Sequence, residues 1–277
     1  MASEHSVVEL ASRGDTVRVL QITDTHLKAF EGGQLLGLDT DYSLQAIVDL
    51  VKREYPEPDL IVGTGDLADS GAGNAYRRLI SYFDQITPRH YWLPGNHDLR
   101  EVMVDVGGTQ RVPGELRVGR WQILMLDSQL PGEVGGHLGA SELKRLEDRL
   151  EVAASEGLFT LLCLHHQPVP VGCRWLDEQM VSDAHGFFDI IGRFKGVRAV
   201  LWGHVHQELD ELRDGVRLLC TPSTCVQFQP GQIDFALDMR APGYRWLELA
   251  PDGSIETGVS RAESQVFPVD RDASGYL

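Results

Sequence analysis

Five short polar clusters in this 277-residue chain carry side chains that metal ions and phosphate chemistry use. They are "TDTHL" with Asp24 and His26, "GTGDLA" with Asp66, "LPGNHDLR" with Asn96, His97 and Asp98, "LHHQP" with His165 and His166, and "GHVHQ" with His204 and His206. Carboxylate and amide oxygens are mixed with imidazole nitrogens, and no thiolate is present. That donor set suits borderline first-row divalent ions, iron, manganese or zinc, better than calcium. Seven ligands (Asp24, His26, Asp66, Asn96, one histidine of the 165–166 pair, His204 and His206) are too many for one four-coordinate ion. They are about right for two ions sharing a carboxylate. Two divalent ions bring about +4, two aspartates −2 and a shared hydroxide −1, leaving about +1 at the site. In a chain of formal charge −16, such a site would draw in a phosphate ester. Within "GNHD", Asn96 offers a carbonyl oxygen to a metal and His97 is expected to point past the metals toward substrate. Asp98 is expected to hold that imidazole in a protonated, donating state.

Singly, each cluster is weak: D-x-H and H-x-H occur in surface loops, and Gly-Asp before a helix is an ordinary cap. Their shared position carries the argument. The apolar runs "TVRVLQI" (16–22), "DLIVG" (59–63), "HYWL" (90–93), "FTLLCL" (159–164) and "RAVLWG" (198–203) read as strands, and one cluster follows each. Carboxyl ends of sheet strands are where α/β folds gather ligands. Because residues i and i+2 of an extended strand face the same way, Asp24/His26 and His204/His206 are each expected to face one cavity.

A further strand is expected at "WQILML" (121–126). Helices are expected through Leu44, Ile47, Val48 and Val51, and through Tyr76, Leu79, Ile80 and Phe83. A third carries Leu143, Leu146 and Leu150, with Ser141 as its N-cap. Hairpins are expected about Asp214-Gly215 and about the Pro-Asp-Gly turn at 251–253. The pattern is a single α/β domain over 1–260 followed by a polar, loosely held tail over 261–277.

Composition is that of a globular protein, with 42% apolar, 8% aromatic and 24% charged residues. The acidic balance argues against nucleic acid or anionic lipid as a partner. No run of about 18 apolar residues is present to span a bilayer. The opening "MASEHSVVELASRGD" lacks the basic and apolar regions of a signal peptide. Cys163, Cys173, Cys220 and Cys225 form no C-x-x-C pair, so reduced thiols in a cytoplasm are expected.

The order D-x-H, G-D, G-N-H-D, H, G-H-x-H resembles the calcineurin-like metallophosphoesterase superfamily. The stretches "LQITDTHL", "TGDLA", "WLPGNHD", "WQILMLDSQ", "LHHQPVPVGCRWLD", "GHVHQELD" and "TPSTCVQFQP" are similar to the bacterial 3′,5′-cyclic AMP phosphodiesterases within it, to about residue 250. The resemblance implies a four-layer α/β/β/α sandwich of two mixed sheets with a dinuclear site on its rim. It places Asp24, His26 and His206 on one ion, Asn96, His165 and His204 on the other, and Asp66 between them. His165 is preferred to His166 because the motif uses the first histidine of the pair. His26, Asp66, Asn96, His97 and His206 are the implied substrate contacts. The implied reaction converts cyclic AMP to 5′-AMP through a hydroxide bridging the ions, with His97 protonating the leaving ribose oxygen. Iron is favoured, with manganese able to substitute and zinc less suited.

Two other readings compete. One is another esterase activity on this scaffold, toward glycerophosphodiesters, 2′,3′-cyclic nucleotides, other nucleotides or a lipid-linked pyrophosphate. The other is a non-catalytic binding module. Substrate choice would lie in loops 27–40, 99–118, 129–139, 167–182 and 225–240, where Trp175 and Phe228 either flank an adenine or pack. A homodimer is the candidate assembly.

Overall fold

The computed structural model describes residues 6–273 and residue 275. Alternation along the strands sorts the apolar residues onto two faces, and those faces build the layers. Val17, Val19, Leu60, Val62, Ile123, Met125, Leu161, Cys163, Ala199 and Leu201 meet in one buried cluster between two sheets. Their neighbours Leu20, Ile22 and Ile61 turn outward onto helices Thr40–Glu54, Gly73–Phe83 and Arg100–Gly107. On the other sheet Leu124, Leu162, Val200 and Trp202 turn outward onto helices Gly139–Glu156 and Ala184–Ile191. Helix, sheet, sheet, helix is therefore the layer order, as expected from period-two strands with both faces buried.

Both sheets are mixed. The five-stranded sheet runs Ile255–Arg261, Gly243–Leu249, Val17–Gln21, Leu60–Thr64, His90–Leu93, with the last three parallel. The seven-stranded sheet runs Val7–Leu10, Glu115–Val118, Trp121–Met125, Phe159–Cys163, Val197–Trp202, Val216–Cys220, Leu209–Arg213. Four consecutive members of it, from Trp121–Met125 to Val216–Cys220, are parallel. Every strand expected from sequence is present, and both hairpins form, the first through Asp214 and Gly215 at positive φ. The Val7–Leu10 edge strand was not anticipated.

Two local expectations need correction. Ser141 does not cap its helix, which begins at Gly139. The first amides, of Leu138 and Gly139, donate instead to the Asp183 carboxylate at 3.0 and 2.8 Å, a cap supplied from outside the helix. The segment after residue 260 is more engaged than a loose tail: Phe267 packs on both helix-side clusters, and the Asp270 amide donates to Leu36 O at 2.7 Å.

His90, buried in the edge strand, provides an acid-stability test. Its Nδ1 accepts from the Trp92 indole at 3.1 Å, and its Nε2 lies between Asp84 Oδ1 at 3.1 Å and Arg111 Nε at 3.4 Å. Burial, reinforced by the Arg111 charge, lowers its pKa to about 4. The unfolded chain, with an ordinary histidine near 6.5, takes up the proton first. Stability from a neutral His90 is thus complete above that value and is lost as pH falls toward 4. His90→Phe, which keeps a ring beside Trp92, is expected to remove about 1–3 kcal/mol of the acid destabilisation over this window. Denaturant midpoints of the two proteins between pH 7 and 4 measure it (about 3 pH units), and parallel curves would count against it.

Candidate metal centre

The five clusters come together where the parallel strands of both sheets end. Beyond Gln21 and Thr64 the two chains run on side by side, with Asp24 N donating to Gly65 O at 3.0 Å and His26 N to Asp66 O at 2.9 Å. The expected strand geometry does not hold here. Asp24, His26, Asp66, His204 and His206 all have φ between 45° and 64°, the left-handed region that non-glycine residues rarely adopt. Asp24/His26 and His204/His206 do face one cavity, but through a left-handed turn at each residue rather than through a pleat. Such strain persists only where surrounding structure over-determines it, and it marks functional sites. Ser223 Oγ donates to Asp24 O at 2.7 Å, Thr23 Oγ1 to Asp24 Oδ2 at 2.7 Å, and the His204 amide to Asp24 Oδ1 at 3.0 Å.

Each of three imidazoles has one nitrogen on an outer oxygen. His165 Nδ1 lies 2.8 Å from Thr64 O, His206 Nδ1 2.8 Å from Val226 O, and His204 Nε2 3.0 Å from Gln179 Oε1. With N–H placed on those bonds, the lone pairs of the other nitrogens point inward. His165 Nε2 then lies 3.1 Å from Asn96 Oδ1, 3.3 Å from His204 Nδ1 and 3.3 Å from Asp66 Oδ2. Similarly, His206 Nε2 is 3.3 Å from both His26 Nε2 and Asp24 Oδ1. Asp66 Oδ2 is buried, accepts no hydrogen bond, and is also 3.8 Å from His26 Nε2. Acceptors held this close in a buried space repel one another unless a cation lies among them. The donors group as Asp24 with His26 and His206, as Asp24 with Asp66 and His165, as His26 with Asp66 and His97, and as His165 with His166 and His204. The residues present therefore fit a pair of divalent cations.

Titration reflects the same charge balance. Although burial opposes it, the His165, His97 and His26 charges hold the Asp66 carboxyl well below its usual range. Burial also works against a charged His165, yet the Asp66 and Asp24 carboxylates push it up to about 9. Burial, with the charges of His166 and His165, takes His204 far down. A positive charge is what these carboxylates call for, and a cation bound here would supply it in place of a proton on His165. His166 differs from its neighbour. Its Nδ1 is 2.8 Å from Ser128 Oγ and its Nε2 3.1 Å from Val134 O, so both ring nitrogens are engaged away from Asp66.

His97 stands edge-on to His26, ring centroids 4.9 Å apart, and its amide donates to Asp66 Oδ1 at 2.9 Å. The Asp98 carboxylate, expected to hold this imidazole, is engaged with the flanking loops. It accepts from the amides of Ala68, Gly95 and Leu67 at 3.0, 3.0 and 3.2 Å and from Tyr76 OH at 2.8 Å. It clamps the two loops that carry Asp66 and Asn96. Burial, with the nearby Asp66 charge, raises its carboxyl to about 6. The oxygen facing His97 Nδ1, at 3.0 Å, is the backbone carbonyl of Asp69. Asp69 was missed by sequence reasoning, although its carboxylate lies 3.7 Å from His26 Nδ1 and 2.6 Å from Lys28 Nζ. Gln179 was missed too. Trp175 and Phe228 are packing residues: buried Phe228 stacks on His206 at 4.3 Å and meets Trp175 edge-on at 5.0 Å, leaving no slot for a base between them.

Two glycines make the close approach possible. A Cβ on Gly65, which has φ +98°, would fall 2.3 Å from His165 Nδ1. One on Gly95 would fall 2.2 Å from Asp66 Oδ1 and 2.8 Å from His165 Cε1. Gly95→Ala is expected to weaken metal binding about 10–100-fold by displacing Asp66 and His165. Metal titration of the folded variant reads this, and an unchanged affinity would mean that the loop yields freely.

Residues 17–208 match the calcineurin-like phosphoesterase family. The chain is 42% identical over 262 residues to the 3′,5′-cyclic adenosine monophosphate phosphodiesterase CpdA of Pseudomonas aeruginosa, covering 94% of this chain and 96% of that protein. It is 42% identical over 275 residues to the protein of the same name from Escherichia coli (strain K12), covering 98% and 99%. A dimetal phosphatase from Danio rerio has a similar fold, with TM-score 0.57 and 14% identity over 89% of this chain and 99% of that one. Matched by the family over most of its length and by relatives nearly end to end, the chain belongs to the calcineurin-like phosphoesterases.

Proposed function

We propose that this chain is a metal-dependent phosphodiesterase that hydrolyses 3′,5′-cyclic AMP to 5′-AMP. The observation that carries the reading is the inward convergence of imidazole nitrogens, an amide oxygen and carboxylate oxygens about Asp66 Oδ2. Relatives named as cyclic AMP phosphodiesterases over nearly the whole chain support the substrate. In this assignment Asp24, His26 and His206 hold one cation, Asn96, His165 and His204 the other, and Asp66 both. Iron, with manganese in its place when iron is scarce, fits the nitrogen and oxygen donors, and availability decides over zinc. When bound, the two cations supply a water nucleophile deprotonated at neutral pH and neutralise charge on the phosphoryl oxygens.

The chain's own residues do the rest. Asp66 Oδ1 accepts the His97 amide and so ties the acid to the metal-binding carboxylate. His97 Nδ1–H donates to Asp69 O, which leaves Nε2 as the nitrogen that passes its proton to the ribose 3′ oxygen as the P–O3′ bond breaks. His26, Asn96 and His206 line the phosphate. Asp98 acts through the loops it clamps rather than on substrate. No helix among the described residues is long and apolar enough to cross a membrane. Four free, buried cysteines fit a reducing cytoplasm.

Product analysis tests this reading. Metal-reconstituted protein is offered 3′,5′-cyclic, 2′,3′-cyclic and linear phosphodiesters. Cyclic AMP is expected to turn over at least about 10-fold faster than the others, giving 5′-AMP alone. Release of 3′-AMP, or preference for a linear diester, would overturn it.

A further inference from the structure

Asn96 and His97 hang from the five-stranded sheet, whereas His165 and His204 hang from the seven-stranded sheet. Among the described residues no β-ladder joins the two sheets; beside the site they meet through the Thr224 N–Thr23 O and Gly243 N–Ser223 O bonds, at 3.2 and 3.0 Å, and through side chains. Residues 127–129, which follow the Trp121–Met125 strand of the seven-stranded sheet, reach across. The side-chain amide nitrogen of Gln129 donates to Gly95 O at 2.7 Å and to Asp98 O at 2.6 Å. Those two carbonyls bracket Asn96 and His97. The other end of the bridge is anchored at two points, Glu142 and His166, while a bond within the bridge stiffens it and Arg100 adds a second contact to the five-stranded side. Gln129 N donates to Asp127 Oδ1 at 3.0 Å, and Asp127 N to Glu142 Oε1 at 2.9 Å. Ser128 Oγ lies 2.8 Å from Nδ1 of His166, the chain neighbour of His165, and Arg100 Nη1 lies 3.6 Å from Asp127 Oδ2.

We infer that Gln129 is a positioning residue: its amide registers the Asn96–His97 loop against the His165 side of the site, setting where the His97 imidazole meets the leaving oxygen. This rests on the assignment of His97 as the acid. Both hydrogens of one NH₂ group are used on two carbonyls, a role that neither a hydroxyl nor a carboxylate can fill. Gln129 touches no reacting atom in this account and holds no metal.

Gln129→Ala and the isosteric Gln129→Glu, whose carboxylate would face two carbonyl oxygens, test the inference in metal-reconstituted protein. Two substrates are compared: cyclic AMP, whose alkoxide must be protonated to leave, and bis(p-nitrophenyl) phosphate, whose leaving group departs as the anion. The expected result is a fall in kcat of about 10–100-fold on cyclic AMP, less than about 3-fold on the aryl diester, and unchanged metal content. Equal losses on both substrates, loss of metal, or no loss would overturn it. His97→Ala, run in parallel, separates the two ideas. If it too lacks the leaving-group split, the acid assignment fails; if it shows the split and the Gln129 variants do not, only the present inference fails. Should wild-type protein ignore cyclic AMP, diphenyl phosphate takes its place as the poorer leaving group, so the inference stands or falls apart from the natural substrate.

Discussion

Asp66→Ala is expected to lose bound metal and turnover together, with activity down at least ~10³-fold. The size follows from its placement. One carboxylate oxygen lies 3.3 Å from His165 Nε2 and 3.8 Å from His26 Nε2, and so faces both halves of the donor set. The other accepts the His97 amide at 2.9 Å, so truncation also releases the acid loop. Asp66→Asn, which keeps the shape and removes the charge, should retain the fold with reduced metal content. Elemental analysis after dialysis, set beside kcat, reads both variants. A fully metallated, inactive Asp66→Ala protein would contradict a bridging role.

His97→Ala should lower kcat on cyclic AMP by about 10²–10⁴-fold with metal content largely intact. Its imidazole is buttressed by Asp69 O and stands edge-on to His26; it joins His26 and Asp66 in one donor group but lies outside the groups that hold His165, His204 and His206. Removal should therefore leave the cations' partners in place and abolish protonation of the leaving oxygen. The loss should shrink on a diester whose leaving group is a stable anion, because that step no longer needs an acid. Loss of metal from this variant would make His97 a ligand or a structural residue instead.

The two variants separate failures that activity alone would merge. Metal loss with activity loss follows from removing the shared carboxylate, and activity loss with metal retained follows from removing the acid. Asp98→Ala should resemble neither pattern. Its carboxylate bonds three amides and one phenol between two loops, so its loss would act first on stability.

Which residue types gather, and in what order, was legible in the sequence. Each parallel strand is a short apolar run with a polar stop, so the D-x-H, G-D, G-N-H-D, H-H and G-H-x-H clusters could be placed at strand ends before any coordinates. Near-continuous apolar runs likewise announced strands buried on both faces, and the four-layer order followed from the resemblance. Preference for His165 over His166 came from the motif, and the bonds of His166 to Ser128 and Val134 O are consistent with it. Only the tertiary structure decided how these segments meet. The Gly243–Leu249 strand returns to pair with Val17–Gln21 across more than 200 residues of sequence, which no local pattern encodes. Gln179 on His204, Asp69 on His97 and Gln129 on the Asn96–His97 loop are single polar residues whose partners lie 25 to 34 residues away in chain order. The left-handed turns at Asp24, His26, Asp66, His204 and His206 were not read beforehand, because Asp and His tolerate positive φ better than most residues but do not require it. Local propensity and periodicity are short-range properties of a chain. Strain, second partners and the meeting of two sheets are long-range ones, set when packing elsewhere overrules what each segment would prefer alone.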